Sequence, residues 1–216
     1  MVVPLAHAGK GGWPEGLGDG TRETGTMAWR WRDGAFDAGR GSRYDIRAME
    51  KHTVYLGLGA NEPPAARRIA QAFEELGRIP GLVLDEASPI YRTEPQLYAD
   101  QPWFSNQVAR FFADASWEPV PLMQRLLELE TALGRVRSTD PNLRYGPRAI
   151  DIDMLLFDDL VSDHPVCTLP HPRLKERAFW LVPLRDIAPD IAIQGTPVGT
   201  CLEAFRWFSD GDRIWQ

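Results

Sequence analysis

The sequence predicts an α+β fold of the ferredoxin-like type, in which two helices cover one face of an antiparallel sheet and a helical segment follows towards the C-terminus. Four short runs of alternating apolar and polar residues are typical of half-buried strands, and two longer runs carry apolar residues at helical spacing. These runs follow one another as strand, helix, strand, strand, helix, strand, which is the order of ferredoxin-like domains. With 216 residues, of which 44% are hydrophobic, the chain is long enough to form one core.

Residues 1–48 differ from the rest of the chain. They hold ten of the 19 glycines, together with scattered arginines and tryptophans, and they show no periodic apolar pattern. This composition is typical of a disordered leader. A wrongly assigned gene start is the alternative, because Met49 opens the well-patterned region. Residues 49–216 are therefore predicted to form the folded domain.

The first strand, the first helix and the second strand lie between residues 53 and 95. The predicted strand is TVYLGLGAN, which ends in a glycine-bearing turn at Asn61. The helix follows Pro63 and Pro64, which suit a first helical turn, and it ends at Gly77. The second strand runs through GLVLDEASPIYRTEP into a proline-containing loop.

The third and fourth strands flank a second helix. The third strand is WFSNQVARFFAD, and the helix lies within EPVPLMQRLLELETALGR and is stopped by Gly134. Its apolar stripe consists of Leu122, Leu126, Leu129 and Leu133. The fourth strand is AIDIDMLLFDD. The chain beyond it is predicted to be helical within LPHPRLKERAFWLVPLRDIAPD and VGTCLEAFRWFS.

Composition disfavours several classes of protein. A net charge of −6 argues against non-specific binding of nucleic acid, and no apolar run approaches the roughly 20 residues that a membrane span needs. Cys167 and Cys201 belong to no CxxC or Cys/His cluster, so we predict reduced thiols and no zinc site. We therefore expect a cytoplasmic protein that acts on small molecules, without nucleic-acid or membrane partners. A monomer is expected as well, although nothing in the sequence specifies the oligomeric state.

Two aspartates interrupt the fourth strand. Side chains alternate along a strand, so the even-numbered residues from Ile150 to Leu156 should face the helices, and Asp151 and Asp153 should share the other face with Cα atoms about 6.6 Å apart. Two buried carboxylates repel each other unless a cation lies between them, and Mg²⁺ prefers oxygen ligands. On alternation alone, a merely solvent-exposed polar face is the simpler interpretation.

An arginine cluster precedes the aspartates. It consists of Arg135, Arg137, Arg144 and Arg148. Carboxylates beside arginines suit phosphoryl transfer, because a metal ion bridges phosphate oxygens while guanidinium groups neutralise the remaining charge. A set of surface salt bridges is the alternative interpretation.

Several sequence blocks resemble the 6-hydroxymethyl-7,8-dihydropterin pyrophosphokinase family of folate biosynthesis. In order from about Thr53 to Asp190, they are YLGLGAN, SPIYRTEP, QPWFSNQV, LETALGRVR, RYGPRAIDIDMLLFDD and LPHPRLKERAFWLVPLRDIAPD. The resemblance implies an ATP-dependent diphosphokinase with ATP as co-substrate. Such an enzyme transfers pyrophosphate to the hydroxymethyl group of the pterin and releases AMP.

The resemblance also implies roles for individual residues on the nucleotide side. Asp151 and Asp153 would hold two Mg²⁺ ions that bridge the ATP phosphates and the pterin hydroxyl group. Arg135 and Arg148 match catalytic arginines that contact the phosphates, and Arg144 falls in the mobile catalytic loop of the family. The remaining matches to ATP-binding positions are His171 and Arg177.

The pterin ring calls for aromatic stacking faces and amide-type hydrogen bonds. By resemblance, we expect it to be bound by Thr93, Glu94, Pro95, Asn106, Tyr145 and Phe179. Tyr145 stands where the family usually has tryptophan, and the loop at residues 138–143 is longer than the common form. Phe104 fits either a pocket wall or the core, and Gly59 and Asn61 fit either the site or a plain turn.

Two other classes of function compete with this enzyme. A non-catalytic nucleotide- or pterin-binding module of the same fold would be expected to have lost some of the motif residues, which are intact here. A ferredoxin-like nucleic-acid-binding domain would carry aromatic residues and basic charge on its open sheet face, where this sequence predicts two aspartates.

Overall fold

The computed structural model describes residues 29–32, 35–38, 51–96, 100–137 and 146–216. Within the predicted leader it contains an antiparallel pair of strands, β1 (Trp29–Arg32) and β2 (Ala35–Ala38). The sequence analysis missed this pair, although WRWR alternates aromatic and charged residues and is followed by Asp33-Gly34, a dipeptide common in hairpin turns. The rest of the leader and Met49 lie outside the described residues, so the interpretation of residues 1–48 stays a prediction.

The folded region begins with the predicted order of strands and helices. Its elements are β3 (Lys51–Ala60), α1 (Ala65–Leu76), β4 (Leu82–Ala87), β5 (Tyr91–Thr93), β6 (Phe104–Asp114), α2 (Pro119–Ala132) and β7 (Asp151–Phe157). The predictions of both helices are confirmed. The second predicted strand is divided into β4 and β5, which pair with different parts of β6.

Short elements follow β7. They are β8 (Ser162–His164), β9 (Cys167–Leu169), a 3-10 helix (Leu174–Glu176), α3 (Ala178–Ile187), β10 (Ala192–Ile193), β11 (Thr196–Pro197), α4 (Val198–Glu203), β12 (Phe208–Asp210) and β13 (Arg213–Trp215). The sequence did not predict the strands among them, because two- and three-residue strands carry too little alternation to stand out.

The main sheet is mixed. Its strand order is β12-β13-β5-β6-β3-β7, and β4 also pairs with β6. β3 lies antiparallel to both β6 and β7, whereas β13 pairs with β5 in parallel. The prediction of an antiparallel sheet is therefore wrong at β13, which reaches β5 from the far end of the chain.

Helices cover both faces of the sheet. On the first face, α1 and α2 pack on a core cluster that includes Leu56 and Leu58 of β3. On the second face, α3 and α4 pack on a cluster that includes Tyr55 and Val108. The prediction that helices cover only one face is wrong, because α3 and α4 bury Tyr55 of β3 and Val108 of β6 on the second face.

A β-bulge interrupts the alternation of β7. Tyr55 pairs with Leu156 and Leu56 pairs with Met154, so Leu155 is the extra residue. Leu156 therefore joins the second core cluster. The prediction that Leu156 lies on the first face of the sheet is wrong. Asp151 precedes the bulge and keeps the predicted alternation.

Both cysteines are buried and free. Burial raises the pKa of the Cys167 thiol to about 11, so this thiol is protonated at neutral pH. Among the described residues, no helix is long and apolar enough to span a bilayer.

Candidate active site

A cavity of about 480 Å³ opens on the second face of the sheet, between the ends of the central strands and the start of α3. Its walls include most of the residues predicted for the site: Thr93, Glu94, Asn106, Arg135, Arg148, Asp151, Asp153, His171, Arg177 and Phe179. Gly59 and Phe104, whose roles the sequence left open, line it as well.

Three predicted residues are not brought to this cavity by the described structure. Pro95 is half-buried beside Glu94 but is not among the lining residues. Arg144 and Tyr145 lie outside the described residues, as does the loop at 138–143, so their roles stay predictions.

Asp151 is held between two arginines. Its Oδ1 lies 2.5 Å from Arg135 Nη1, and its Oδ2 lies 2.5 Å from Arg148 Nη1. The side chain is only 19% exposed, which contradicts the interpretation of these aspartates as an open polar face. Charge-assisted pairs of this kind are stronger than neutral hydrogen bonds. Asp151 therefore fixes both guanidinium groups at the cavity wall.

Asp153 has less compensation than Asp151. Its Oδ1 lies 3.8 Å from His171 Nε2, a longer distance than either arginine contact of Asp151. Burial raises the pKa of Asp153 well above its ordinary value, and the neighbouring Asp151 and Glu130 carboxylates raise it further, whereas Arg177 and Arg135 lower it. The site thus carries a carboxylate whose charge the protein does not neutralise.

This donor set fits a hard divalent cation. Mg²⁺ takes oxygen ligands and is commonly held by one or two carboxylates together with substrate phosphates. Among the described residues, no cluster of three or more His, Cys, Asp or Glu side chains could hold a metal ion by itself. An ion at Asp151 and Asp153 would therefore take its remaining ligands from substrate or water.

Glu130 is a buried charge that the sequence interpretation missed. It lies on α2, is 1% exposed, and accepts a hydrogen bond of 2.7 Å from the backbone N–H of Ile152, between the two aspartates. It also pairs with Arg137 and lies 3.7 Å from Arg135 Nε. Burial and the Asp151 charge raise its pKa to about 7, against the opposing effect of Arg135 and the Ile152 N–H.

A signal for Glu130 was present in the sequence. It follows Leu126 by four positions and Leu122 by eight, so it lies on the apolar stripe of its helix. A carboxylate at such a position requires a buried cationic or N–H partner, and Arg135 and Arg137 are close along the chain.

Asn61 positions the backbone of Arg148. Asn61 is 1% exposed, its Oδ1 accepts from the Arg148 N–H at 2.7 Å, and its own N–H donates to the Arg148 carbonyl at 3.2 Å. Its Nδ2 donates to the Pro102 carbonyl at 3.1 Å. This reciprocal pairing is more than a plain turn needs.

The Arg148 guanidinium lies 5.5 Å from the ring centroid of Phe104, which makes Phe104 a cavity wall.

His171 is neutral at physiological pH. Burial lowers its pKa to about 4, and Arg177 contributes to the decrease. Its Nδ1 accepts a hydrogen bond of 3.1 Å from the backbone N–H of Arg173. In the neutral ring the proton is therefore on Nε2, the nitrogen that faces Asp153.

Arg177 combines aromatic contacts with a free donor. Its guanidinium lies 4.5 Å from the Trp180 centroid and 5.2 Å from the Phe179 centroid, distances that allow cation–π attraction. Its buried Nε finds no hydrogen-bond acceptor among the described residues, so an anionic ligand could supply one.

The sequence interpretation missed four lining residues: Gln96, Pro172, Arg173 and Trp180.

The cavity wall also has an amide and aromatic faces. Asn106 on β6 is 5% exposed, and its Nδ2 donates to Thr93 Oγ1 at 2.7 Å. This bond orients the amide, whose Oδ1 remains an acceptor beside Gly59. Phe104 and Phe179 line the same cavity.

Gly59 allows Asn106 to occupy its position. A Cβ added at Gly59 would lie 2.6 Å from Asn106 Oδ1, so Gly59→Ala should displace the amide from the cavity. We expect the KM of the substrate that contacts the Asn106 amide to rise about tenfold, the effect of about 1.4 kcal/mol of lost binding, with the KM of the other substrate little changed. Steady-state kinetics with each substrate varied in turn would measure this difference.

Gly199→Ala is the matched control for this substitution. An added Cβ meets nothing within 4 Å there, and alanine favours the helix that contains the residue. Equal changes in both KM values for Gly59→Ala would contradict a specific effect on Asn106.

The fold and the cavity together define an α+β protein whose site combines carboxylates and arginines with an amide and aromatic side chains. The sequence model of the 7,8-dihydro-6-hydroxymethylpterin-pyrophosphokinase family matches residues 55–189. This match covers more than half of the chain, and the protein belongs to that family. The resemblance inferred from the sequence blocks is confirmed.

Similar proteins agree with this assignment. A 2-amino-4-hydroxy-6-hydroxymethyldihydropteridine pyrophosphokinase from Methylorubrum extorquens is 43% identical over 149 residues, which cover 69% of this chain and 90% of the relative. The protein of the same name from Pseudomonas aeruginosa is 39% identical over 140 residues, covering 65% and 83%. The folic acid synthesis protein fol1 of Schizosaccharomyces pombe is 33% identical over 150 residues, covering 69% of this chain and 20% of that protein.

Solved structures share the fold. The wild-type HPPK-DHPS of Plasmodium falciparum superposes with a TM-score of 0.52 over 76% of this chain and 50% of that one, at 13% identity. At this identity the likeness shows a common fold alone.

Proposed function

We propose that this protein transfers the pyrophosphoryl group of ATP to the hydroxymethyl group of 6-hydroxymethyl-7,8-dihydropterin, giving AMP and the pterin diphosphate in folate biosynthesis. One observation carries the proposal. The residues that line the cavity, from Gly59 to Trp180, all fall within the part of the chain that matches the family. The intact cavity disfavours the alternative of a non-catalytic binding module.

Asp151 and Asp153 are the residues that would hold Mg²⁺, for which two ions are expected. Bound there, the metal would polarise phosphate oxygens and neutralise developing charge. This role is supported by the raised pKa of Asp153, which reflects a charge that the protein itself leaves uncompensated.

Arg135 and Arg148 would bind the phosphate oxygens of ATP. Their guanidinium groups are already oriented by Asp151, so little rotamer freedom remains to be lost on binding. Arg177 would donate its free Nε to another phosphate oxygen or to a ribose oxygen, and His171 would act as a neutral donor through Nε2. Positioning and electrostatic stabilisation of this kind account for most phosphoryl-transfer catalysis.

The pterin would bind at the opposite end, against Phe104 and Phe179. The Asn106 amide and the groups near Thr93 and Glu94 would recognise the polar ring edge. Substrate contacts at both ends would bring the hydroxymethyl oxygen towards the ATP phosphates, which converts a bimolecular reaction into an effectively intramolecular one.

We also propose the ferredoxin-like description for the four central strands. It is supported by their order, β7-β3-β6-β4, and by the antiparallel pairing of each neighbour. The monomeric state and the cytoplasmic location stay predictions. The free thiols of Cys167 and Cys201 agree with a reducing compartment.

Product identity is the test of the proposed function. With Mg-ATP and 6-hydroxymethyl-7,8-dihydropterin, we expect AMP and pterin diphosphate in equal amounts, measured by anion-exchange chromatography. Formation of ADP would indicate an ordinary kinase and would contradict the proposal. A pterin with a methyl group in place of the hydroxymethyl group is the control, since it offers no acceptor oxygen and should give no AMP.

A further inference from the structure

Gln216 joins two segments of the cavity wall. Its backbone N–H donates to Glu94 Oε1 at 2.8 Å. Its side-chain Oε1 accepts from Gln96 Nε2 at 3.0 Å and from the backbone N–H of Ala178 at 2.8 Å. Its Nε2 donates to the carbonyl of Glu176. One residue thus connects the segment after β5 to the beginning of α3.

Both connected segments contribute to the cavity. Glu94 and Gln96 line it from one side, and Arg177 and Phe179 line it from the other. Phe179 directly follows Ala178, so the hydrogen bond from Gln216 lies one residue away from an aromatic face of the cavity.

The contact with Ala178 supplies an acceptor that α3 otherwise lacks. The first N–H groups of a helix have no intrahelical acceptor, and Arg177, at the N-cap position, makes no side-chain cap hydrogen bond. Oε1 of Gln216 accepts from the first residue of the helix, in the way that a cap side chain would accept from a nearby N–H. Without it, the first turn of α3 would lose a restraint on Phe179.

A buried strand delivers Gln216 to this position. In β13, Ile214 pairs in parallel with Thr93 of β5, and Ile214 is 1% exposed within the second core cluster. The Glu94 N–H also contacts the Ile214 carbonyl, at 3.4 Å. Gln216 is therefore placed by sheet pairing and burial, although its own side chain is exposed.

We propose that Gln216 is a positioning residue for the pterin-binding half of the site, acting through the segments of Glu94, Gln96 and Phe179. The inference rests on the proposed function, because the pterin is the ligand whose wall it restrains. Arg135 and Arg148, which would bind the ATP phosphates, belong to other segments, between α2 and β7. Arg177, which would also bind ATP, lies between Glu176 and Ala178 in a restrained segment, so loss of Gln216 should weaken pterin binding more than ATP binding.

The test replaces Gln216 with methionine, which has a similar length and no amide. In the presence of a non-hydrolysable ATP analogue, we expect the dissociation constant of 6-hydroxymethyl-7,8-dihydropterin, measured by fluorescence titration, to rise about tenfold, as loss of one or two net hydrogen bonds predicts. The KM for ATP should rise less, by about threefold at most, because only Arg177 among the arginines that would bind ATP lies in a segment held by Gln216. The Ala178 amide should exchange its hydrogen about tenfold faster.

Ser209→Ala is the control, since this exposed residue lies on the neighbouring β12, and it should leave all three quantities unchanged. Unchanged pterin affinity in Gln216→Met would overturn the proposal. Equal losses of pterin and ATP affinity would also overturn it, because they would report general loosening. The proposed function fails by a separate result, the absence of AMP formation by the wild-type protein. The titration requires no turnover, so it tests the role of Gln216 even if the wild-type protein forms no AMP. A wild-type protein that binds no pterin would refute that role.

Discussion

Replacing Asp153 with asparagine is expected to lower kcat by about a thousandfold or more while making the free protein more stable. The loss of activity follows from removal of a carboxylate that would hold Mg²⁺, whose electrostatic contribution is several kcal/mol, and each 1.36 kcal/mol is a factor of ten in rate. Asparagine keeps the volume of the side chain but offers a weaker, neutral oxygen ligand.

The gain in stability follows from the raised pKa of Asp153. An acid whose folded pKa lies above its unfolded value destabilises the folded state once the pH exceeds the unfolded pKa, and this cost is complete above the folded pKa. Asparagine carries no charge, so the free energy of unfolding at neutral pH should rise when Mg²⁺ is absent. Protonation at lower pH should reduce the difference between the two proteins.

Two measurements separate these effects. Steady-state assays of AMP formation give kcat, and thermal unfolding with and without Mg-ATP gives the stability. Mg-ATP should raise the Tm of the wild-type protein more than that of Asp153→Asn. Asp159→Asn is the matched control, because this exposed aspartate lies in the turn after β7. Near-normal turnover of Asp153→Asn at ordinary Mg²⁺ concentration would rule out the metal role.

Replacing Arg148 with alanine is expected to lower kcat by about a hundredfold to a thousandfold, the range found when one preorganised charge donor is removed. Arg148 contacts Asp151, lies over Phe104, and has its backbone fixed by Asn61. Its charge is therefore aimed at the cavity before any ligand arrives. Lysine should recover little activity, since an ammonium group cannot pair with the carboxylate and stack on the ring at once.

Arg92→Ala provides the control for the change in overall charge. Arg92 is an exposed arginine on β5 and should leave kcat unchanged within about twofold. Comparable losses in Arg92→Ala and Arg148→Ala would show that net charge, rather than the position of Arg148, determines the rate.

The part of the cavity wall that carries Asp151, Asp153 and Arg148 can be predicted from local sequence. Asp151 and Asp153 are separated by two positions on one strand, and Arg148 precedes them closely, so local alternation is enough to place them together. The buried position of Glu130 could also have been predicted from the sequence, because a charged residue on an apolar stripe requires a partner. The bulge at Leu155 could not have been predicted, since it arises from the pairing of β7 with β3.

The remainder depends on contacts between distant parts of the chain. Helical cover of the second face requires α3 to pack on Val108 of β6, and no periodicity in either segment states that they meet. Likewise, Gln216 contacts Glu94 across 122 positions of sequence. Amphipathic patterns identify which surfaces must be buried against another element. They do not identify that element, because it is determined by contacts that form only in the folded sheet.

The late position of β13 has a consequence for synthesis on the ribosome. The chain is made from its N-terminus, so β3, β6 and β7, with both aspartates, leave the exit tunnel before residues 213–216 exist. A nascent chain can therefore assemble the central sheet and the face that carries both aspartates while the wall at Glu94 still has an unpaired edge. Pairing of β13 with β5 comes later, in a step that closes a loop of about 120 residues and is slowed by that separation.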